Sequence, residues 1–337
     1  MIYYIIGDYM KLEDLEKYRT ENGFIDMDLA LKENELEYIN EIRGSQNRDK
    51  FWVVLEDTDI LVRNENLDDC GVEYPVYAEL IMEELAKQVG LDCAHYDIIN
   101  FNGKKGVISK NVLDRNNNES MYTIRSIIGE SAMPNDSIDI AEVWNSIKKF
   151  ASMEDNISKE KAQKAFLDVA KIAIFDTYTM SNDRHSENIS LIYGNDAQDG
   201  TTIFKVAPLF DNECSLMLDK PVEEIDEMLS DKKYFNDMVN LQEQMIVVPD
   251  EARDPSNADG WKDMLYFLTD DSDEAMDFAE ECYNTLDIKE AMESVEGRIG
   301  AKLPDKLKEF VTKSFEIRKD SINRALIINM DDMEVGR

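Results

Sequence analysis

The hydrophobic pattern in the first third of the chain predicts short strands. Four short runs rich in β-branched, aromatic and other apolar residues lie there, at 51–55, 60–63, 95–101 and 105–110. The dipeptide Asn102-Gly103 between the last two runs predicts a tight β-hairpin, because both residues tolerate the positive φ that such a turn requires.

One helix is predicted within this strand-rich region. Residues 77–89 carry apolar side chains at i, i+3 and i+4, and Gly90 suits the left-handed position that ends many helices. Residues 1–45 combine a strand-like apolar run at 1–6 with charge-rich segments of helical spacing. The pattern assigns this segment no clear role.

From about residue 141 the pattern is mainly helical. Helices are predicted at 141–150 and 161–180, and the second of them has a buried face formed by Phe166, Val169, Ala170, Ala173 and Ile174. A polar loop at 182–188 follows, and then a hairpin with strands at 189–193 and 202–207. The chain from about 221 onward is again helical and very acidic.

These patterns predict an α+β fold of two lobes, a β-rich N-terminal lobe and a mainly helical C-terminal lobe. The polar run at 115–119 interrupts the pattern and is taken as the boundary. The chain is therefore divided into an N-terminal segment (1–45), an N-terminal lobe (46–114) and a C-terminal lobe (115–337).

Composition excludes several classes of protein. The chain of 337 residues is 43% hydrophobic and 32% charged, which is typical of a globular protein. No apolar run approaches the ~18 residues of a membrane span, and the N-terminus lacks the features of a secretory signal. We expect a cytoplasmic protein that does not associate with membranes.

The charge balance argues against direct binding of nucleic acid. The chain has 37 Lys and Arg against 72 Asp and Glu, a net charge of −35. Such a field repels phosphate backbones. A basic protein segment would be attracted, but a solvated acidic surface is the favoured explanation of this composition.

Cysteine and histidine offer no zinc or disulfide pattern. The four cysteines, Cys70, Cys93, Cys214 and Cys282, are widely spaced without a C-x-x-C pair, and His95 and His185 are the only histidines. Reduced thiols are expected.

The candidate chemistry lies around the 182–188 loop and the hairpin that follows. A hairpin returns its ends to one place, so Asp183 and Asn188, before its first strand, are expected to lie near Asp211, after its second. Two carboxylates and an amide are suited to Mg²⁺, with phosphates and water completing the coordination. Taken singly, each residue would fit an Asx turn or a surface acid.

The spacing of these residues matches that of phosphoryl-transfer enzymes. Protein kinases place an Asp five residues before an Asn and a second metal-binding Asp after a hairpin. In that interpretation Asp183 orients or deprotonates the attacking hydroxyl, while Asn188 and Asp211 hold Mg²⁺ against the phosphates of ATP.

The chain also resembles the HipA-like serine/threonine kinase family, and its Asp-Arg-His order recurs in phosphatidylinositol-kinase-like enzymes. The motifs that carry the resemblance are Phe175-Asp176, Asn182-Asp183-Arg184-His185, Asn188 and Ala207-Pro208-Leu209-Phe210-Asp211-Asn212. Weaker similarity covers the helix that contains Glu79 and the strand at 105–110 that leads to the hinge.

The resemblance implies a two-lobed protein-kinase-like fold that uses ATP and magnesium. It also implies transfer to Ser or Thr of a protein, often the kinase itself, and an antitoxin-like partner, since several members are toxins paired with antitoxins. His185 would pack beneath the loop and support the metal-binding segment, a direct proton-transfer role being less favoured. Val107 and Ser109, on the strand that leads to the hinge, would contact the nucleotide.

The chain departs from the kinase pattern at the phosphate-binding cation. Kinases use a Lys from a strand of the first lobe, but the matching position at the end of the 60–63 strand is Arg63. Lys50 is a second candidate, and Glu79 would position whichever cation is used. Arg63 could also be an exposed strand-end residue, and no G-x-G-x-x-G loop is present.

This departure keeps alternatives open. The leading hypothesis is an active protein kinase, and the second is a pseudokinase that binds nucleotide and regulates a partner. A lipid kinase is the third hypothesis, suggested by the Asp-Arg-His order alone. The net charge of −35 weakens it, because an acidic surface is repelled by anionic membranes.

Overall fold

The structure is a computed structural model, which describes residues 10–36, 38–40, 50–64, 71–114, 116–129, 137–154, 156–249, 260–270 and 272–335, with the backbone alone at 38–40 and 328–335. The predicted apolar run at 1–6 and Cys70 lie outside the described residues.

The N-terminal lobe is built on a six-stranded sheet with the order β1-β5-β6-β4-β3-β2. Neighbouring strands are antiparallel except β1 and β5, which run parallel. The strands are β1 Ile25–Asp26, β2 Tyr38–Asn40, β3 Lys50–Val54, β4 Asp59–Asn64, β5 Tyr96–Phe101 and β6 Lys104–Lys110.

The β5–β6 hairpin forms as its turn residues predict. Asn102 and Gly103 adopt φ values of 52° and 71°, both left-handed, and Phe101 pairs with Lys104 across the turn. The β3–β4 hairpin and the helix α2, Pro75–Gln88, are also found at their predicted places.

The two faces of this sheet are covered by different parts of the chain. One face contacts a 3-10 helix, Leu12–Tyr18, and the helix α1, Met27–Glu33, which follows β1. Residues that share this small core include Leu15, Tyr18, Met27, Phe51, Val62 and Ile108. Residues 1–45, to which the sequence assigned no role, therefore supply strands of the sheet and helices that pack on one of its faces.

The opposite face packs against α2 and opens toward the C-terminal lobe. Ile98 of β5 and Val107 of β6 belong to the same hydrophobic core as Leu80 and Met82 of α2. Because side chains alternate along a strand, every second residue of β4 and β6 points to this face.

The C-terminal lobe is mainly helical. It also holds a three-stranded sheet of order β10-β9-β7 and a parallel pair of short strands, β8 and β11. The elements are β7 Ser120–Thr123, α3 Ile124–Ile128, β8 Ile138–Asp139, α4 Ile140–Met153, α5 Lys159–Thr179, β9 Ser190–Asn195, β10 Thr202–Val206, α6 Val222–Ser230, α7 Lys232–Leu241, β11 Ile246–Val247, α8 Gly260–Asp270, α9 Asp273–Thr285, α10 Ile288–Ile299 and α11 Asp305–Val335.

Helix α5 forms the centre of this lobe and delivers the chain to the candidate site. The side chain of Ser158 caps its N-terminus by accepting a hydrogen bond from the Lys161 amide, and Met180 ends it in the left-handed conformation, φ 54°. Ala173, Phe175 and Tyr178 are completely buried. The predicted α+β fold, strands first and helices afterwards, is confirmed.

None of the described helices combines the length and apolar character needed to cross a membrane.

Candidate active site

The two lobes meet where the loop after α2 runs beside the segment after β10. The amide of Ala94 donates to the carbonyl of Leu209 at 2.7 Å, and the amide of Leu209 donates to Asp92 at 2.8 Å. The hydroxyl of Tyr96 then accepts from the Asp211 amide at 2.9 Å. These bonds place Asp211 beside Tyr96 of β5.

The 182–188 loop contacts the same segment. The Asn182 amide donates to the Cys214 carbonyl at 3.3 Å, and the Leu216 amide donates to Thr179 at 2.7 Å. The β9–β10 hairpin pairs Leu191 with Val206 and returns the chain to its starting point. The loop and Asp211 therefore converge, as the hairpin argument predicts.

Arg184 links the parts of this junction. It is 1% exposed, and its guanidinium donates to Asp176 Oδ2 at 3.1 Å, to the Phe210 carbonyl at 2.8 Å and to Asn212 Oδ1 at 2.7 Å. One side chain thus joins helix α5, the loop and the segment after β10. Its role was not assigned from the sequence.

Asp183 and Asn188 lie next to each other in the loop. Asn188 Nδ2 donates to the Asp183 carbonyl at 2.8 Å and lies 3.4 Å from Asp183 Oδ2. Burial raises the pKa of Asp183. The charges of Asp211 and Glu213 raise this pKa as well, while His185 lowers it. The charge of Asp183 is therefore affected by those of two other carboxylates.

His185 is buried beneath the loop. Its Nδ1 accepts from the Glu187 amide at 3.2 Å, and its Nε2 lies 3.7 Å from Asp183 Oδ1. Because one ring nitrogen of His185 holds the loop backbone, the geometry favours a supporting role for His185 over direct proton transfer.

Arg63 is buried, so it is not an exposed strand-end residue. Its Nη2 lies 2.8 Å from Glu79 Oε1 and 3.1 Å from Glu213 Oε2, and its Nη1 pairs with Asp211. Glu79 is completely buried, and its other oxygen accepts from the Asn212 amide at 2.8 Å. Burial raises the pKa of Glu79, the charge of Arg63 opposes this, and Asp211 and Glu213 raise it further.

The other predicted nucleotide-binding residues share a sheet face with Arg63. In the sheet register, Lys50 and Val107 are the direct cross-strand neighbours of Arg63, on either side of it. Ser109 lies two residues beyond Val107 and is half-buried. All four are therefore placed on the face that opens toward the other lobe.

Sequence reasoning missed Glu213. It follows Asp211 by two residues, and its signal in the sequence was only that the predicted metal-binding segment continues with another acid. The left-handed φ of Asp211, 58°, turns the backbone at this point. Asp176 and Tyr96 were likewise not assigned their supporting contacts.

The donors present suit a divalent cation that brings its own phosphate ligands. Within the described ranges, no three His, Cys, Asp or Glu side chains form a ready-made metal cluster. The candidate set is instead two carboxylates and an amide, which matches Mg²⁺ bound mostly through phosphates and water. Burial raises the pKa of Asp183, and the negative charges of Asp211 and Glu213 raise it further. A cation would relieve this repulsion.

Comparison with known proteins supports the fold. No model of a protein family matches the chain, and no curated protein matches it in sequence. Its structure is similar to that of the Helicobacter pylori proinflammatory kinase CtkA, with a TM-score of 0.63, 17% identity, and coverage of 88% of this chain and 96% of that chain. The kinase-like fold expected from the motifs is thereby confirmed.

A second similar structure comes from the Shewanella oneidensis MR-1 toxin–antitoxin complex of HipA, HipB and operator DNA. The TM-score is 0.49, with 15% identity and coverage of 86% of this chain. The chain matches 63% of that longer protein, less than two thirds of its length.

Proposed function

We propose that the protein is a kinase that transfers the γ-phosphate of ATP, bound with Mg²⁺, to a serine or threonine hydroxyl of a protein. The observation that supports this is the meeting of two groups of residues where the two lobes join. Asp183 and Asn188 come from the loop of the helical lobe, and the Arg63–Glu79 ion pair comes from the β-rich lobe. Asp211 lies between them, in contact with Arg63.

In this proposal each residue has a role suited to its position. The side chain of Asp183 is 33% exposed, so a substrate hydroxyl would have access to its carboxylate, which would accept the proton. Asn188 and Asp211 would hold Mg²⁺, which when bound neutralises charge on the transferred phosphoryl group. Arg63 would contact the phosphates, held in place by Glu79 as the corresponding Lys is held in kinases.

The remaining predicted residues support this arrangement. Lys50 would add a second positive charge on the same sheet face as Arg63, and Val107 and Ser109 would line the nucleotide site there. His185 would act through the loop as a positioning residue. An antitoxin-like partner, a cytoplasmic location and the absence of direct nucleic-acid binding stay predictions from the sequence.

Transfer of labelled γ-phosphate from ATP tests the proposal. Purified protein with MgCl₂ is expected to label itself or an added protein on serine or threonine, and EDTA is expected to abolish labelling. Asp183→Asn is expected to reduce the rate at least about a hundredfold, because it removes the group that accepts the proton. Asp211→Asn should also weaken Mg²⁺-dependent ATP binding.

Asp277 is exposed on α9, so Asp277→Asn provides the matched control, and this variant should transfer phosphate at the wild-type rate. If neither carboxylate variant changes labelling or ATP binding, the proposal is wrong. ATP binding with no transfer in the wild type would instead favour the pseudokinase, for which the replacement of the usual Lys by Arg63 is the motivating observation.

A further inference from the structure

The strand β7 lies at an edge of the three-stranded sheet in the C-terminal lobe, and among the described strands it pairs with β9 alone. The Ile124 amide, directly after β7, donates to the Ile189 carbonyl at 2.9 Å. Because residues that bond to the partner strand alternate along an antiparallel pair, Tyr122 also bonds to β9, while Met121 and Thr123 direct their amides to the other side. The outer side of β7 therefore offers backbone groups to a further strand.

The side chains at this edge are apolar and accessible. Met121 is 42% exposed and Tyr122 is 36% exposed. The centre of the Tyr122 ring lies 4.9 Å from that of Phe150, and Met153, which follows Phe150 by one turn of α4, is 70% exposed. Sheet edges are commonly protected by Lys or Pro, and β7, with the sequence Ser-Met-Tyr-Thr, has neither. Peptide recognition by strand addition uses such backbone groups beside apolar side chains.

The same strand leads to the loop that carries Asp183. Thr123, the last residue of β7, is opposite Ser190 of β9, which follows Asn188 by two residues. The side chain of Asn188 donates to the Asp183 carbonyl at 2.8 Å. An extended chain advances about 3.3 Å per residue, so a segment paired with β7 would reach this loop within a few residues.

Two carboxylates near this edge accept hydrogen bonds from neutral groups. Glu119, which precedes β7, accepts from the Asp114 amide at 2.8 Å, and Glu154, next to Met153, accepts from the Tyr193 hydroxyl at 2.9 Å. Neither forms an ion pair with a described cation. The net charge of −35 adds a long-range field of the same sign. These charges favour a basic partner, and they disfavour a second copy of this chain, which would repeat them.

We propose that the outer edge of β7 binds an extended, positively charged segment of the substrate protein as an added strand. Backbone hydrogen bonds to the Met121 and Thr123 amides would hold this segment, and the apolar side chains of the edge would pack against it. The serine or threonine that accepts phosphate would then lie beside Asp183. This inference rests on the proposed function and names the class of substrate segment that it uses.

A synthetic peptide of alternating lysine and valine with a central serine is the probe. Met121→Pro removes the outward amide, and proline is tolerated at an edge where the amide does not bond within the sheet. The KM for the peptide is expected to rise roughly fivefold to tenfold, because a backbone hydrogen bond is lost. The kcat and the Kd for ATP should stay near the wild-type values, since the edge does not touch the nucleotide.

Matched variants separate the edge from general effects of charge. Met121→Lys keeps the backbone amide and adds a positive charge that repels the peptide, so its KM should also rise, and this variant replaces the proline variant if that one does not fold. Leu241 is 52% exposed at the end of α7, so Leu241→Lys makes the same change of charge elsewhere and should leave the KM unchanged. The wild type should phosphorylate a peptide with glutamate in place of lysine much more weakly.

An unchanged KM for both Met121 variants overturns the inference while the proposed function stands. Equal use of the lysine and glutamate peptides overturns it as well, and so does a dimer in sedimentation that Met121→Lys dissociates without a change in the KM.

Fluorescence anisotropy of the labelled lysine peptide, measured without ATP, separates this inference from the proposed function. If the wild type transfers no phosphate, the proposed function fails. Peptide binding that Met121→Pro weakens at least about fivefold would still support the edge as a peptide site. Absence of binding, or binding that does not respond to either Met121 variant, would overturn it.

Discussion

Arg184 is a single buried residue on which three segments of the candidate site depend. It pairs with Asp176, which is 1% exposed, and it also satisfies the Phe210 carbonyl and Asn212 Oδ1. Burial raises the pKa of Asp176, and the charge and hydrogen bonds of Arg184 oppose that rise. A buried pair of this kind stabilises little in net terms, but removal of one partner is costly.

Arg184→Leu is therefore expected to destabilise the protein by about 3–5 kcal/mol, because it leaves the Asp176 carboxylate buried without a counter-charge. Urea unfolding measures the change in the free energy of unfolding. The double variant with Asp176→Leu should recover part of the loss. The Lys164 side chain is 75% exposed and forms a salt bridge with Asp168, so Lys164→Leu should cost less than about 1 kcal/mol. A loss of similar size for Arg184→Leu would contradict the proposed linkage.

Glu83 connects three secondary-structure elements. It lies on α2, and its Oε2 accepts from the Tyr96 amide of β5 at 3.1 Å and from Arg298 of α10 at 2.7 Å. Its Oε1 lies 2.9 Å from His95 Nδ1 and 2.8 Å from Lys87 Nζ. Burial alone would raise the pKa of Glu83, but these hydrogen bonds and the charge of Arg298 hold it at about 2.

The packing of α2 against β5 and α10 should therefore weaken in acid. Above pH 4.5 the Glu83 carboxylate is ionised in both the folded and the unfolded chain, and its full contribution is present. As the pH falls from 4.5 toward 2, the unfolded chain takes up a proton that the folded chain does not, and this contribution is lost.

Glu83→Gln removes this contribution. The wild type is expected to be more stable than the variant by roughly 3 kcal/mol above pH 4.5, and the difference should shrink as the pH falls. Denaturant unfolding at a series of pH values measures it. Glu274→Gln, exposed on α9, controls for the loss of one negative charge. A stability difference that stays constant with pH would rule out the proposed role of Glu83.

The whole molecule carries a net charge of −35, which acts on every element at once. Repulsion among 72 acidic side chains opposes the compact state, while most ion pairs at the surface contribute little. Added salt screens the long-range repulsion more than it weakens the buried pairs around Arg63 and Arg184.

The midpoint of thermal unfolding is therefore expected to rise as NaCl increases from about 0.01 M to about 0.15 M, over which the screening length falls from about 30 Å to about 8 Å. Differential scanning fluorimetry without Mg²⁺ measures the midpoint. KCl should have the same effect, which would identify ionic strength as the cause. A midpoint that falls with salt would mean that favourable surface pairs outweigh the repulsion.

The sequence by itself determined the elements whose pattern is local. The Asn102-Gly103 turn, the helix around 161–180 and the order of loop, hairpin and Asp211 all follow from backbone preferences and hydrophobic period. The short strands β1, β7 and β8 were missed, because two to four residues are too few to show a period.

Only the tertiary structure decided which charges meet. Arg63 and Asp211 are 148 positions apart, and Arg63 and Glu79 are 16 apart, so no local pattern records their contact. The burial of Arg63 and the approach of Glu213 to it depend on how α2 packs beneath the sheet and how the 92–96 segment pairs with the chain after β10. Periodicity encodes backbone conformation, whereas ion pairs between distant segments depend on the packing of the whole chain. For that reason the spacing along the chain could predict that the 182–188 loop lies near the segment after β10, and it could not predict the arrangement of acids around Arg63.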